Sequence, residues 1–126
     1  MKQTLIAVLL GIFSLNVHAT LFQLDSNDDE VAYADLNTIK KYGNIVSMWS
    51  LYDLKNTKYL ARKPYQSTRF HIEYQCQNEK IRVRGMQYFS GKMGEGDVIY
   101  KENFTDIWTT MAGVESEWRY ACYSSN

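Results

Sequence analysis

The groups best suited to chemistry in this 126-residue chain are two cysteines, Cys76 and Cys122, and the histidine His71. A thiolate and an imidazole could form a nucleophilic couple, but only if both side chains lie on the same side of one element. His71 and Cys76 lie an odd number of residues apart along one predicted strand, so they face opposite sides of the sheet. Only His71 could join the two cysteines as a strong ligand, whereas a zinc site needs four ligands.

Two pairs of carboxylates could instead support acid–base catalysis. Glu95 and Asp97, like Glu115 and Glu117, are two residues apart, a spacing that does not direct both groups at one substrate atom on a loop or a helix. The sequence contains no G-x-S-x-G and no H-E-x-x-H motif. We therefore predict that the protein is not an enzyme and that it needs no cofactor and no metal.

The N-terminus has the features of a secretory signal peptide in residues 1–19. Lys2 precedes an apolar stretch from Leu5 to Leu15, and small residues stand at Val17 and Ala19. A membrane anchor is the alternative, but the stretch is shorter than the roughly 20 apolar residues that a membrane span needs. Cleavage after Ala19 would leave a 107-residue exported domain without a stable membrane span.

The net charge of the chain and the expected oxidising compartment limit the possible partners and the state of the cysteines. The whole chain has 14 basic and 14 acidic residues, so no overall field attracts nucleic acid, and we predict no nucleic-acid partner. In an oxidising compartment, two cysteines in a small domain most simply form one disulfide, Cys76–Cys122. A metal pair and a reactive nucleophile remain the alternatives.

The elements that must position these groups begin with residues 20–30, an acidic lead that we expect to be flexible. Residues 31–126 form the predicted domain. A strand is predicted at 31–35, and a second at 45–54 that is apolar on both faces, so it should be covered on both sides. Residues 55–64 should be a polar connection, and a glycine-rich stretch at 90–96 reads as a hairpin loop rather than a phosphate cradle.

The clearest local structure is a β-hairpin. Alternating apolar residues at 70–76 and 81–85 predict two strands joined by a two-residue loop, Gln77-Asn78. That register places Ile72 opposite Val83, Glu73 opposite Arg82 and His71 opposite Arg84.

The same register gathers the candidate binding residues on the face away from the core: Arg69, His71, Arg82 and Arg84. This face could be a recognition patch, and a solvated sheet face with ordinary cross-strand ion pairs is the alternative. Tyr74 should point inward.

The last segment has helical periodicity. Apolar residues recur at Val114, Trp118, Ala121 and Cys122, which predicts a short amphipathic helix that begins near Gly113. The predicted fold class is α+β, a small antiparallel β-sheet with this C-terminal helix tethered to the sheet by the disulfide. Tyr59, Tyr65 and Tyr123 lie in connections or at the end of the chain, where they are free to contact a partner.

The order of these features resembles the surface-adhesin protein E family of Gram-negative bacteria over residues 31–123. The resemblance rests on Trp49 and Tyr52, Tyr65-Gln66-Ser67, a strand that ends in Cys76, Arg82-Val83-Arg84, Tyr88, the glycine loop before Val98, Trp108 and the helix with Cys122. It implies an antiparallel sheet with a disulfide-tethered C-terminal helix. It also implies a protein that binds host proteins such as vitronectin, laminin and plasminogen and that can form a homodimer.

Two features depart from the family pattern. The residue after the predicted cleavage is Thr20 and not a lipidated cysteine, and residues 109–113 lack the expected Pro-Gly-Ser. The predicted localisation is therefore exported, in the periplasm, on the outer surface or secreted. We predict an adhesin-like module with a protein partner from the host extracellular matrix or serum. The alternative is a periplasmic binding or inhibitory module that acts on a secreted hydrolase.

Overall fold

A computed structural model describes residues 20–104 and 106–124 of the protein. The predicted signal peptide, residues 1–19, lies outside the described residues. The described part of the chain contains no helix that is both long and apolar enough to cross a membrane.

The described residues form one antiparallel sheet with a single α-helix at the C-terminal end, as predicted. The strand order is β1-β2-β4-β5-β6-β7, with β3 also paired to β4 and β8 also paired to β6. The elements are β1 (Leu21–Ser26), β2 (Glu30–Asp35), β3 (Lys40–Tyr42), β4 (Ile45–Leu60), β5 (Lys63–Gln75), β6 (Lys80–Phe89), β7 (Val98–Asn103), β8 (Thr109–Thr110) and α1 (Glu115–Tyr123).

Strand β4 is the centre of the sheet, because it pairs with β2 and β3 along one side and with β5 along the other. Its side chains alternate between the two faces of the sheet. Val46 and Met48 point towards α1 and are fully buried, whereas Trp49 and Leu51 point to the opposite face. Leu51 is buried, whereas Trp49 is only half-buried, so the prediction that both faces of this strand are covered holds at Leu51 and not at Trp49.

Helix α1 packs on the sheet through the predicted apolar stripe. Trp118 and Ala121 are buried in a core that also contains Tyr74, which points inward as predicted. A second contact is polar, since the Tyr52 hydroxyl donates a hydrogen bond of 2.6 Å to Oε2 of the buried Glu117. Burial, followed by the nearby Glu117 carboxylate, raises the pKa of Tyr52 far above its usual value, so this hydroxyl remains a donor.

The predicted disulfide is confirmed. Cys76 follows β5 and Cys122 lies in the last turn of α1, and their sulfur atoms are bonded across a sequence separation of 46 residues. The covalent link therefore holds the helix on the sheet at the end of the β5–β6 hairpin.

The prediction that residues 20–30 are a flexible lead is wrong. Residues 21–26 form the edge strand β1, which pairs with β2. Apolar side chains on this strand explain the difference, because Phe22 stacks on Tyr120 of α1 at 5.0 Å and Leu24 packs against the core. Two of the four acidic residues, Asp28 and Asp29, lie in the turn after β1, where Asn27 Oδ1 accepts hydrogen bonds from the amides of Asp29 and Glu30.

The prediction that residues 55–64 form a polar connection is also wrong. Strand β4 continues to Leu60, and a two-residue turn leads directly into β5. Pro64 fits within β5 because Leu60 and Lys63 flank the turn as the hydrogen-bonded pair, so position 64 would direct its amide away from β4. On its other side, β5 pairs with β6 only from Ser67 onward, so no residue of β6 needs a hydrogen bond from the amide that Pro64 lacks.

We expect the disulfide to supply a large share of the stability. Closing a loop of 46 residues stabilises the folded state by up to about 4 kcal/mol in the chain-entropy model. Urea unfolding of the oxidised protein and of the Cys76→Ser/Cys122→Ser variant should show a loss in that range. The reduced protein is the matched control, and its urea midpoint should equal that of the double variant. Equal midpoints for the oxidised protein and the double variant would contradict a stabilising role of the disulfide.

Candidate functional site

The sheet face opposite α1, here called the tryptophan face, carries Trp49, Arg69, His71, Glu73 and Arg82. Trp49 lies directly opposite His71 in the β4–β5 register, and their rings stack at 5.0 Å with an interplanar angle of 12°. The guanidinium carbon of Arg69 lies 4.4 Å from the centre of the Trp49 ring. The Trp49 ring of β4 therefore contacts two side chains of β5, stacking on the His71 imidazole and forming a cation–π interaction with the Arg69 guanidinium.

A second arginine–tryptophan pair lies further along the same face. The guanidinium carbon of Arg82 is 4.3 Å from the centre of the Trp108 ring. Arg82 also forms an ion pair of 2.5 Å with Glu73, its cross-strand partner, so the predicted Glu73–Arg82 pairing is confirmed. Asp106 lies 3.9 Å from Arg82 and forms an ion pair with Arg84. These contacts fix both guanidinium groups in place.

The charges on this face compensate one another. Arg69 lies 3.8 Å from Asp35, Arg82 is paired with Glu73, and Arg84 is paired with Asp106. The face therefore has no strong net charge that would attract a distant partner.

His71 is neutral at neutral pH in this setting. Burial lowers its pKa below the usual 6.5, and the cations Arg84, Lys40 and Arg69 lower it further, although Glu73 acts in the opposite direction. A neutral imidazole suits the stack on Trp49, because it carries no extra charge beside three cations.

Polar loops border the face at one end. The glycine-rich stretch is the predicted hairpin loop, and it folds over β4 and β5. Lys92 forms an ion pair of 3.3 Å with Asp53, and the Gly94 amide donates a hydrogen bond of 2.8 Å to Ser67 Oγ. Gly94 has a φ of +76°, and the position of its absent Cβ lies 3.4 Å from a methyl group of Leu51. The loop covers this end of the face and leaves Trp49 beside an opening.

That opening is a pocket of about 320 Å³ lined by Thr38, Lys40, Tyr42, Trp49, His71 and Glu73. Its walls are aromatic and polar. Both cysteines of the chain are in the disulfide, so no thiol is available to react. Within residues 20–104 and 106–124, no group of histidine, cysteine and carboxylate side chains could hold a metal ion. The arrangement supports contact with a partner through stacking and hydrogen bonds.

One detail of the predicted register is wrong. His71 pairs with Gly85 and not with Arg84, because β6 contains a β-bulge at this point. Arg84 is the extra residue, so its side chain leaves the regular row and reaches Asp106. The predicted two-residue loop is in fact a four-residue turn at 76–79, which preserves the register of Ile72 with Val83 and of Glu73 with Arg82.

Sequence reasoning placed Arg69, His71 and Arg82 on one face but did not identify their aromatic partners. Side chains alternate along β4, so the sheet face on which Trp49 lies was predictable. The register between β4 and β5, which brings Trp49 to His71, was not. Trp108 lies outside any strand and carries no periodic signal. Only the folded chain brings it to Arg82.

Comparisons with known proteins agree with this fold. The family model for Surface-adhesin protein E matches residues 21–123. The crystal structure of protein E from non-typeable Haemophilus influenzae is similar with a TM-score of 0.62 and 15% identity, covering 86% of this chain and 76% of that chain. Another structure of Haemophilus influenzae protein E has a TM-score of 0.59 and 15% identity, covering 84% and 83% of the two chains. No curated protein matches the chain in sequence.

The fold defines a small antiparallel-sheet protein with a disulfide-tied C-terminal helix. The family match spans most of the chain, so the protein belongs to the Surface-adhesin protein E family. Membership makes it an adhesin-like, exported surface protein with a protein partner, and the family points to a non-enzymatic role. At 15% identity, the solved structures show a shared fold.

The lowered pKa of His71 predicts that stability depends on pH. Because the unfolded chain binds this proton more readily, stability is complete above the usual pKa and falls as pH drops through about 6.5 towards the folded value. Urea midpoints should therefore decrease between pH about 7.5 and about 5.5. His71→Phe keeps the stack on Trp49 and cannot titrate, so it should remove most of this decrease; an unchanged decrease in the variant would contradict the assignment.

Proposed function

We propose that this protein is a non-catalytic adhesin module that binds a host extracellular protein through the tryptophan face. The observation that carries the proposal is the pair of arginine–tryptophan contacts on that face, Arg69 on Trp49 and Arg82 on Trp108. Tryptophan and arginine are the residues most enriched among interface hot spots.

The rigidity of this face supports the proposal. Its side chains are already fixed by stacking and ion pairs on an antiparallel sheet, so binding would cost little side-chain entropy. The arginine side chains remain partly accessible, with 30% exposure for Arg69 and 35% for Arg84. A partner can therefore contact the exposed parts of these guanidinium groups.

The partners proposed are vitronectin, laminin and plasminogen, the host proteins that the resemblance to this family implies. The arginines of the tryptophan face would contact acidic and polar groups of such a partner at short range. Because the charges on the face are compensated, salt should affect the association rate only modestly.

The proposal predicts the effect of changing the accessible end of the face. The variant Arg84→Glu/Trp108→Ala reverses one charge and removes one ring, and it leaves the Glu73–Arg82 pair intact. We expect it to weaken binding to immobilised vitronectin or laminin by at least about tenfold in surface plasmon resonance.

The matched control is Arg119→Glu, which makes the same charge change on the exposed side of α1. It should bind like the unaltered protein. Equal affinities for the double variant and the unaltered protein would remove the tryptophan face from the binding site. Failure of the unaltered protein to bind vitronectin, laminin or plasminogen would overturn the proposed partner class.

We further propose that residues 1–19 are removed during export and that the protein acts at the cell surface. The position of the first strand supports the removal of residues 1–19, because β1 begins at Leu21 and the family match begins at the same residue. The domain would start with one residue, Thr20, before its first strand, so cleavage after Ala19 would leave the sheet complete.

Intact-mass measurement of the exported protein should therefore give a chain that begins at Thr20 and contains one disulfide. Protease added to intact cells should degrade it. Full protection of the protein in intact cells would contradict surface display and would favour the periplasmic module that acts on a secreted hydrolase.

A further inference from the structure

The β4–β5 hairpin extends beyond the rest of the sheet, and we define its end, residues 58–65, as the basic hairpin. The β4–β5 register shifts between Asp53 and Lys58, which bends the paired strands at that point. The turn residues Ala61 and Arg62 have φ angles of 50° and 71°, as in a type I′ turn. This turn type matches the twist of the two strands and gives the hairpin a defined shape.

Positive charge is concentrated on this hairpin, although the chain as a whole is neutral. Residues 58–65 contain three basic side chains and no acidic one. Lys58, Arg62 and Lys63 are exposed, and none of them forms an ion pair with another described residue. They differ in this respect from the compensated arginines of the tryptophan face. Lys58 acts electrostatically on the Glu30 carboxylate. All three cations are nevertheless exposed at one end of the molecule, where they attract anionic partners.

A groove of about 590 Å³ adjoins the basic hairpin. Its lining includes Leu60 and Lys63 from the hairpin and Tyr88 and Tyr100 from β6 and β7. Tyr65 contacts Tyr88 at 4.6 Å between ring centres, and Tyr88 contacts Tyr100 at 5.5 Å. We call this row of three rings, with the space beside it, the tyrosine groove.

Lys58 lies close enough to Tyr88 to act on it electrostatically. Burial and the neighbouring Tyr65 raise the pKa of Tyr88, and the positive charge of Lys58 acts in the opposite direction. Glu102 lines another part of the groove, where it accepts a hydrogen bond from the Tyr100 hydroxyl. The cations and the aromatic row are therefore parts of one continuous surface.

We propose that the basic hairpin and the tyrosine groove together bind an anionic, sulfated polysaccharide. The sulfate and carboxylate groups of such a chain would pair with Lys58, Arg62 and Lys63. Its sugar rings would stack on the tyrosine faces, since each tyrosine presents an apolar ring and a polar hydroxyl. An acidic polypeptide could satisfy the cations, but it offers few flat ring surfaces to a row of three tyrosines.

The test measures binding of heparan sulfate fragments to the unaltered protein and to two variants. Lys58→Ala/Lys63→Ala removes two of the cations and should weaken binding by about tenfold or more. Tyr100→Ala removes one ring of the groove without changing the charge and should also weaken binding, by about threefold or more. Urea midpoints close to that of the unaltered protein would show that both variants are folded.

The matched control is Lys41→Ala/Lys80→Ala, which removes two exposed lysines from β3 and β6. It should change binding by less than about twofold. An equal loss in this control would overturn the proposal in favour of diffuse attraction. Polyglutamate of the same charge should bind about tenfold more weakly than heparan sulfate. Equal binding of polyglutamate would overturn the proposal in favour of an acidic protein partner.

Two further results would overturn the proposal. The first is full affinity of the Tyr100→Ala variant for heparan sulfate. The second is a change of oligomeric state in light scattering when Lys58 and Lys63 are replaced, which would identify the basic hairpin as a contact between two copies of the chain.

Discussion

The structure depends on the pairing of β4 with β5. Nine consecutive residues of β4, from Ile45 to Asp53, pair without interruption with Gln75 to Ser67 of β5. Because side chains alternate along a strand, this register decides which side chains pack under α1 and which lie on the opposite face. A slip of one residue would place Trp49 where Met48 now packs in the core. The tryptophan face and the core are therefore specified by the same set of backbone hydrogen bonds.

The two faces of the sheet perform different tasks. The face under α1 is closed by Trp118, by the Tyr52–Glu117 hydrogen bond and by the disulfide, all of which hold the helix in place. The tryptophan face carries no helix, and its side chains are held by stacking and by compensated ion pairs. Arg84 and Trp108 lie outside the core cluster, so replacing them should leave the packing under α1 intact.

The features predicted correctly from the sequence are those with strong periodicity. Alternation gave the pairing of Ile72 with Val83 and of Glu73 with Arg82, and helical spacing gave the stripe that contains Trp118. The wrong predictions lie where the hydrophobic periodicity of the sequence is weak or where one inserted residue shifts the strand register. The bulge at Arg84 has no composition signal, and residues 21–26 are ordered by Tyr120, far away in sequence. The contact between Arg82 and Trp108 depends on the path of a segment without regular structure.

We propose that a partner covers the tryptophan face and leaves α1 exposed. Hydroxyl-radical footprinting of the protein, free and bound to vitronectin, tests this directly because oxidation reports the exposure of individual side chains. Oxidation of Trp49 and Trp108 should decrease on binding, whereas that of Tyr123, which is 69% exposed on α1, should be unchanged. Protection of Tyr123 with unchanged oxidation of both tryptophans would show that the partner binds elsewhere.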